Sequence, residues 1–126
     1  MTWLAVAVGG ALGSLARHTV NLFFAHALDS AVPYATAAVN LIGSFVIGLL
    51  AGLIAHGRLL FGPNLRTFVF VGLLGGFTTF SSLALDTLTL GQGGDATTAF
   101  WNVAAQILLG LAAAFGGYFI GVGHLA

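Results

Sequence analysis

Four apolar stretches, at about residues 3–25, 34–55, 66–90 and 99–123, restrict this chain to very few folds. Each is long enough for a helix to cross a hydrocarbon layer of about 30 Å, which takes ~20 residues. With no water at that depth, backbone N–H and C=O groups must pair within a helix or a closed barrel, and these runs are continuously apolar where barrel strands alternate. The expected fold class is an all-α membrane protein with four transmembrane helices per subunit. The charge content agrees with it. Soluble domains keep roughly a quarter of their residues charged, whereas here 5% are charged: Arg17, Arg58, Arg66, Asp29, Asp86 and Asp95. The connections 26–33, 56–64 and 91–95 are short and rich in turn formers, so residues 1–126 read as one transmembrane domain. Ala25-His26-Ala27 imitates a signal-peptide cleavage site, but no positive charge precedes the apolar run and Arg17 interrupts it, so the first helix is expected to stay.

Several function classes fall away. Three arginines and no lysine offer no surface for a phosphate backbone, so no nucleic-acid partner is expected. Without cysteine there are no disulfides, thiolate metal sites or thiol nucleophiles. No paired carboxylates lie at depth, and neither His ligand spacing nor a phosphate loop is present, so the chain does not read as an enzyme. Arg58 and Arg66 share one side with both termini, which the positive-inside rule places in the cytoplasm. Arg17, toward the other end of its helix, offsets that bias and leaves insertion in both orientations open.

The third stretch carries the most unusual segment, Gly75-Gly76-Phe77-Thr78-Thr79-Phe80-Ser81-Ser82. A glycine pair and four hydroxyls at membrane depth are costly, because each unpaired polar group there costs on the order of several kcal/mol. Low helix propensity at Gly75-Gly76 and the hydroxyls of Thr78-Thr79 predict a helix break near residues 75–79, with the helix resuming at Phe80, Ser81 and Ser82. Carbonyls freed by such a break make a cation site. Phe80 either packs or presents its electropositive ring edge to a small anion. In the first helix Gly10, Gly13, Ser14, Arg17 and Asn21 form one small, polar face that cannot look at lipid, with Arg17 either facing a wet cavity or clamping carbonyls. In the second, Thr36, Asn40 and Ser44 lie four apart. Asn40 is either interhelical glue or a pore donor, and the fourth helix adds Asn102 and Gln106. Asp86, near the 91–95 connection, is expected to serve at a helix end. GxxxG pairs at Gly9/Gly13, Gly48/Gly52, Gly72/Gly76 and Gly117/Gly121 suit close helix packing.

Taken together, Gly9 through Arg17, Ala38 through Phe45 and Gly75 through Ser81 resemble, in that order, the signatures of the Fluc (CrcB) family of fluoride channels. The resemblance covers nearly the whole chain. It implies an antiparallel, dual-topology homodimer in the bacterial inner (plasma) membrane, exporting fluoride passively and so lowering its toxicity, with two narrow fluoride pores at the subunit interface. It also implies a structural sodium ion, not transported, on the backbone carbonyls of Gly75 and Thr78. Carried over by position, Asn40 is a pore donor, Phe80 a pore-side aromatic, Thr79 and Ser81 hydroxyl ligands, and Arg17 a source of positive potential at the vestibule.

Three positions depart from the family pattern, and all fall beside the expected pore. Leu83 stands where a second phenylalanine is usual, Asn102 where a tyrosine is common and Gln106 where a serine is common. Either the two amides replace the missing ring by donating to the ion, or the chain pairs with a different subunit that keeps both aromatics. Two further readings compete. A small dual-topology multidrug exporter needs an embedded glutamate, which this chain lacks. An assembly protein whose polar residues only hold helices together explains the amides but not the hydroxyl-rich segment.

Overall fold

The computed structural model describes residues 1–28 and 32–123, and the expected loop residue Asp29 lies outside them. Among the described residues the regular structure is helical throughout. Helix α1 spans Thr2–Ala27 and α2 spans Tyr34–Ala55. Next come one turn, α3 (Pro63–Arg66), a π-helical stretch (Thr67–Leu74) and a last helical turn, α4 (Gly75–Phe77). Thr78 and Thr79 are extended, after which α5 (Phe80–Gln92) and α6 (Ala96–Val122) complete the chain.

Local chemistry sets the ends. Pro63 starts α3 at the first helical position, where its missing N–H costs nothing. The Asp95 carboxylate accepts from Thr98 N at 3.1 Å and caps α6, and Gly123, at φ 86°, closes that helix in the left-handed conformation that glycine adopts freely.

Three helical stretches, Tyr34–Ala55, Pro63–Gln92 and Ala96–Val122, are long and apolar enough to cross a membrane. At 1.5 Å per residue the 22 residues of α2 reach about 33 Å, a close match to the hydrocarbon layer. Helix α1, at 26 residues, has the length for a fourth span, but Arg17-His18 interrupts its apolar run. The surface is inverted relative to a soluble protein: large apolar side chains such as Leu15, Phe23, Phe100, Leu108 and Phe115 point outward. Many of the buried positions are glycines, Gly9 and Gly13 in α1 and Gly48, Gly52, Gly110, Gly117 and Gly121 in α2 and α6. In lipid there is no hydrophobic gain from pairing helices, so backbones approach wherever side chains are absent.

The four GxxxG pairs mate two by two. Gly48 and Gly52 of α2 face the carbonyls of Ala114 and Tyr118, while Gly117 and Gly121 of α6 face those of Phe45 and Leu49. Gly9 and Gly13 pack in the same way on Phe68 and Leu73, and a Cβ on Gly72 would sit 2.9 Å from Gly9 Cα. Helix α2 thus lies along α6, and α1 along the first half of the third span.

The break falls within the expected residues 75–79, and the expectation for Asp86 is corrected. Gly75 and Gly76 stay helical, and the chain leaves the helix at Thr78 and Thr79 and resumes it at Phe80. Glycine lowers the cost of leaving a helix, but the departure falls where side chains take over the backbone bonds. Asp86 does not serve a helix end. It stands in the middle of α5, and its Oδ2 is buried without a hydrogen-bond partner.

Candidate functional site

The break is built by Thr78, Thr79 and a side chain from another helix. Thr78 ends α4, its N–H and its hydroxyl both donating to Leu74 O at 3.0 Å. Thr79 N–H, which a continuing helix would send to Gly75 O, donates instead to Asn40 Oδ1 at 2.8 Å. Asn40 Nδ2 in turn donates to Thr79 O at 3.1 Å, so one carboxamide holds both polar groups of an extended residue. Thr79 Oγ1 then accepts from Ser82 N at 3.1 Å and caps α5. A side-chain amide thus does what a neighbouring strand does in a sheet, and the bent backbone at this depth keeps its bonds.

The same diversions bear on the expected cation site. Asn40 takes the amide that would close on Gly75 O, and the Thr79 hydroxyl takes Ser82 N, which would close on Thr78 O. Both carbonyls named from the sequence therefore lose their helical donors. Among the described residues no three His, Cys, Asp or Glu side chains gather as metal ligands, so a cation here would rest on backbone oxygen. Uncharged carbonyl oxygens are ligands of the kind that hard cations take.

Beside the break runs an open groove of about 490 Å³. It brings together Asn40, Thr79, Phe80, Leu83 and Gln106 with Gly75 and Thr78, seven of the positions singled out in the sequence. Phe80 is 77% exposed at its edge, while Leu83, at 6%, faces inward. Gln106, only 7% exposed, accepts from Asn40 Nδ2 at 2.8 Å and donates to Asn102 Oδ1 at 2.8 Å.

Three expected site residues do not line the groove. Ser81 reaches it indirectly, its Oγ 3.3 Å from Thr79 Oγ1. Asn102 stands one hydrogen bond behind Gln106. Arg17 is half-buried on α1, and Ser14 and Asn21 on the same helix are exposed. Nothing in the residue pattern singled out Thr87, whose hydroxyl accepts from Asn102 Nδ2 at 3.0 Å and donates to Leu83 O at 2.7 Å. Ser82, one of the four hydroxyls of the segment and on the same face as Thr79, accepts from Thr79 Oγ1 at 3.1 Å. Gly43 and Ser44 complete the wall; the four-residue step from Asn40 to Ser44 was the signal for the latter.

Chemically the groove sets a few amide and hydroxyl groups among apolar walls, most of their protons donated within the chain and one Gln106 amide proton left over, and no carboxylate lines it. Such a lining is suited to a small anion. The chain is 46% identical over 99% of its length to a protein of Paracoccus denitrificans named fluoride-specific ion channel FluC, covering 98% of that protein. Relatives of the same name from Rhodospirillum centenum and Thermus thermophilus are 48% and 45% identical, over 90% and 94% of this chain and 90% and 92% of their own. A family model described as CrcB-like protein, Camphor Resistance (CrcB), matches residues 4–118. With residues 4–118 matched by that model, the chain belongs to the CrcB family.

Proposed function

We propose that this protein is a fluoride-specific ion channel giving passive export of fluoride across the bacterial inner membrane, built as an antiparallel, dual-topology homodimer. The observation that carries the reading is the 46% identity to a protein of that name over 99% of the chain. Fluoride is small and strongly hydrated, so a pore must replace its water with N–H and O–H donors, and the Gln106 amide keeps one such proton uncommitted beside the groove. A channel makes and breaks no covalent bond, and no residue is assigned a catalytic role.

Two observations support a second copy. The groove is open along one side with Phe80 uncovered, and the polar face of α1, with Ser14, Arg17 and Asn21, needs a cover other than lipid if α1 is the fourth span. A second chain would close the groove, place the Phe80 ring edge toward the ion path and set Arg17 near its mouth. It would also double the freed carbonyls. Gly75 and Thr78 would hold a structural sodium ion, which supplies a fixed positive charge that binds the two broken spans together. The open face is common to both copies, so no second kind of subunit is required.

Purified protein in liposomes tests the reading with a fluoride electrode. Addition of valinomycin to potassium-loaded vesicles is expected to release fluoride and leave chloride inside. Release only on imposing a proton gradient, or equal release of chloride, overturns it.

A further inference from the structure

The hydrogen bonds around the break form a single directed string. It leaves the main chain at Thr79 N–H, enters Asn40 Oδ1, passes from Asn40 Nδ2 to Gln106 Oε1 and from Gln106 Nε2 to Asn102 Oδ1. From Asn102 Nδ2 it continues to the Thr87 hydroxyl and returns to the main chain at Leu83 O. Five bonds of 2.7–3.0 Å thus tie α2, α5 and α6 together, all donating in one sense. Aligned dipoles in a dry interior strengthen one another.

Counting protons separates the roles. Asn40 has two amide protons, and both are committed, one to Thr79 O and one to Gln106 Oε1. Gln106 commits one to Asn102, and its side chain lines the groove. Asn102 does not line the groove, and Thr87 is farther back still. The first helical turn of α5 therefore anchors both ends of the string. If the string is cut at Thr87, Asn102 Nδ2 loses its acceptor, and the Asn102, Gln106 and Asn40 amides keep their sense but are held from the Thr79 end alone, so each opens more readily.

We propose that Thr87 and Asn102 are positioning residues: through the string they steady the Asn40 carboxamide that the Thr79 peptide orients, and they leave Gln106 as the amide with a proton free toward the groove. This deepens the channel reading and rests on it for its functional part. It also assigns different work to the two added amides, Gln106 facing the ion path and Asn102 standing behind it.

Amide exchange by NMR on the full-length protein in detergent micelles tests the string without any ion flux. In the unaltered protein both Asn40 side-chain protons are expected to exchange slowly, whereas Gln106 shows one slow and one fast proton. Thr87→Val, nearly the same shape without the hydroxyl, should speed exchange at Asn40 and Thr79 N–H about five- to tenfold, the effect of one lost hydrogen bond, with core amides of α2 and α6 unmoved. Fluoride efflux should fall with it, and Thr87→Ser should retain the slow exchange. Fast exchange of both Asn40 protons in the unaltered protein overturns the proposal, and that measurement stands even where Thr87→Val does not fold. So does Thr87→Val with unchanged exchange at Asn40, or with equal acceleration throughout, or a Thr87→Ser indistinguishable from it. An unaltered protein that shows the expected exchange but releases no fluoride removes the channel reading and leaves the string standing.

Discussion

Asn40 sits where three helices meet, and its neighbours leave it almost no freedom. Its Oδ1 and both Nδ2 protons are engaged, and the residue three positions later, Gly43, is the reason the break can come so close. A Cβ at Gly43 would run into the Thr78 methyl group, Cγ2, while Thr78 is held by its hydroxyl on Leu74 O. Gly43→Ala is therefore expected to destabilise the protein by about 1–3 kcal/mol, the usual cost of overpacking a tight site. Thr78→Ser removes the offending methyl and keeps the hydroxyl, so the double variant should recover most of that loss. Thermal unfolding in detergent reads both, and additive costs would contradict the contact. At this scale the sequence was partly legible: its spacing marks Asn40 as a polar group on an inward face, and the structure gives it three polar contacts to two other helical segments beside the groove. The partner helix carrying Gln106, 66 positions away, could not be read from spacing along one helix.

Side-chain oxygens start two of the helices, while glycines at positive φ, Gly57, Gly94 and Gly123, follow the ends of α2, α5 and α6. Thr79 caps α5 and Asp95 caps α6, whereas Gly75 and Gly76 remain inside a helix. Asp95 lies in the connection outside the spans, and its hydrogen bonds to Thr98 hold its carboxyl below the ordinary value of 3.8. A carboxylate whose pKa is depressed by folding stabilises the fold above its unfolded value and loses that contribution as pH falls through the folded one. The first turn of α6 should accordingly stay protected at neutral pH and loosen below about pH 3.8. Asp95→Asn, still a good cap but without a titrating group, should lose this pH dependence. Hydrogen exchange of residues 96–99 as a function of pH checks both. Being exposed, the cap matters locally; an acid transition of the whole bundle abolished by this one change would speak against so local a role.

For the whole molecule, α2 against α6 and α1 against the first half of the third span leave the groove beside the break uncovered. An antiparallel homodimer makes a prediction about topology that a parallel one does not. Because the chain has no cysteine, Leu60→Cys in the exposed 56–62 connection provides a single labelling site. Close to half of such chains in sealed cells should react with a membrane-impermeant maleimide from outside, and the purified protein should run at twice the chain's mass. Labelling of all or none would exclude dual topology.

From residue order alone came the helical membrane fold, the places where the spans end, the glycine faces that let them touch, and a break near residues 75–79. Those follow from patterns a few residues long: continuous apolarity, four-residue steps, and hydroxyls set among apolar neighbours. The tertiary structure decided where the break falls, which carbonyls it releases, and that Leu83, Thr87, Asn102, Gln106 and Asn40 belong to one string. Each of those depends on a donor in one helix meeting an acceptor in another. In a medium without water a polar group must take whichever partner the packing brings, and helix packing here is set by glycine contacts distant in sequence from the groups they bring together.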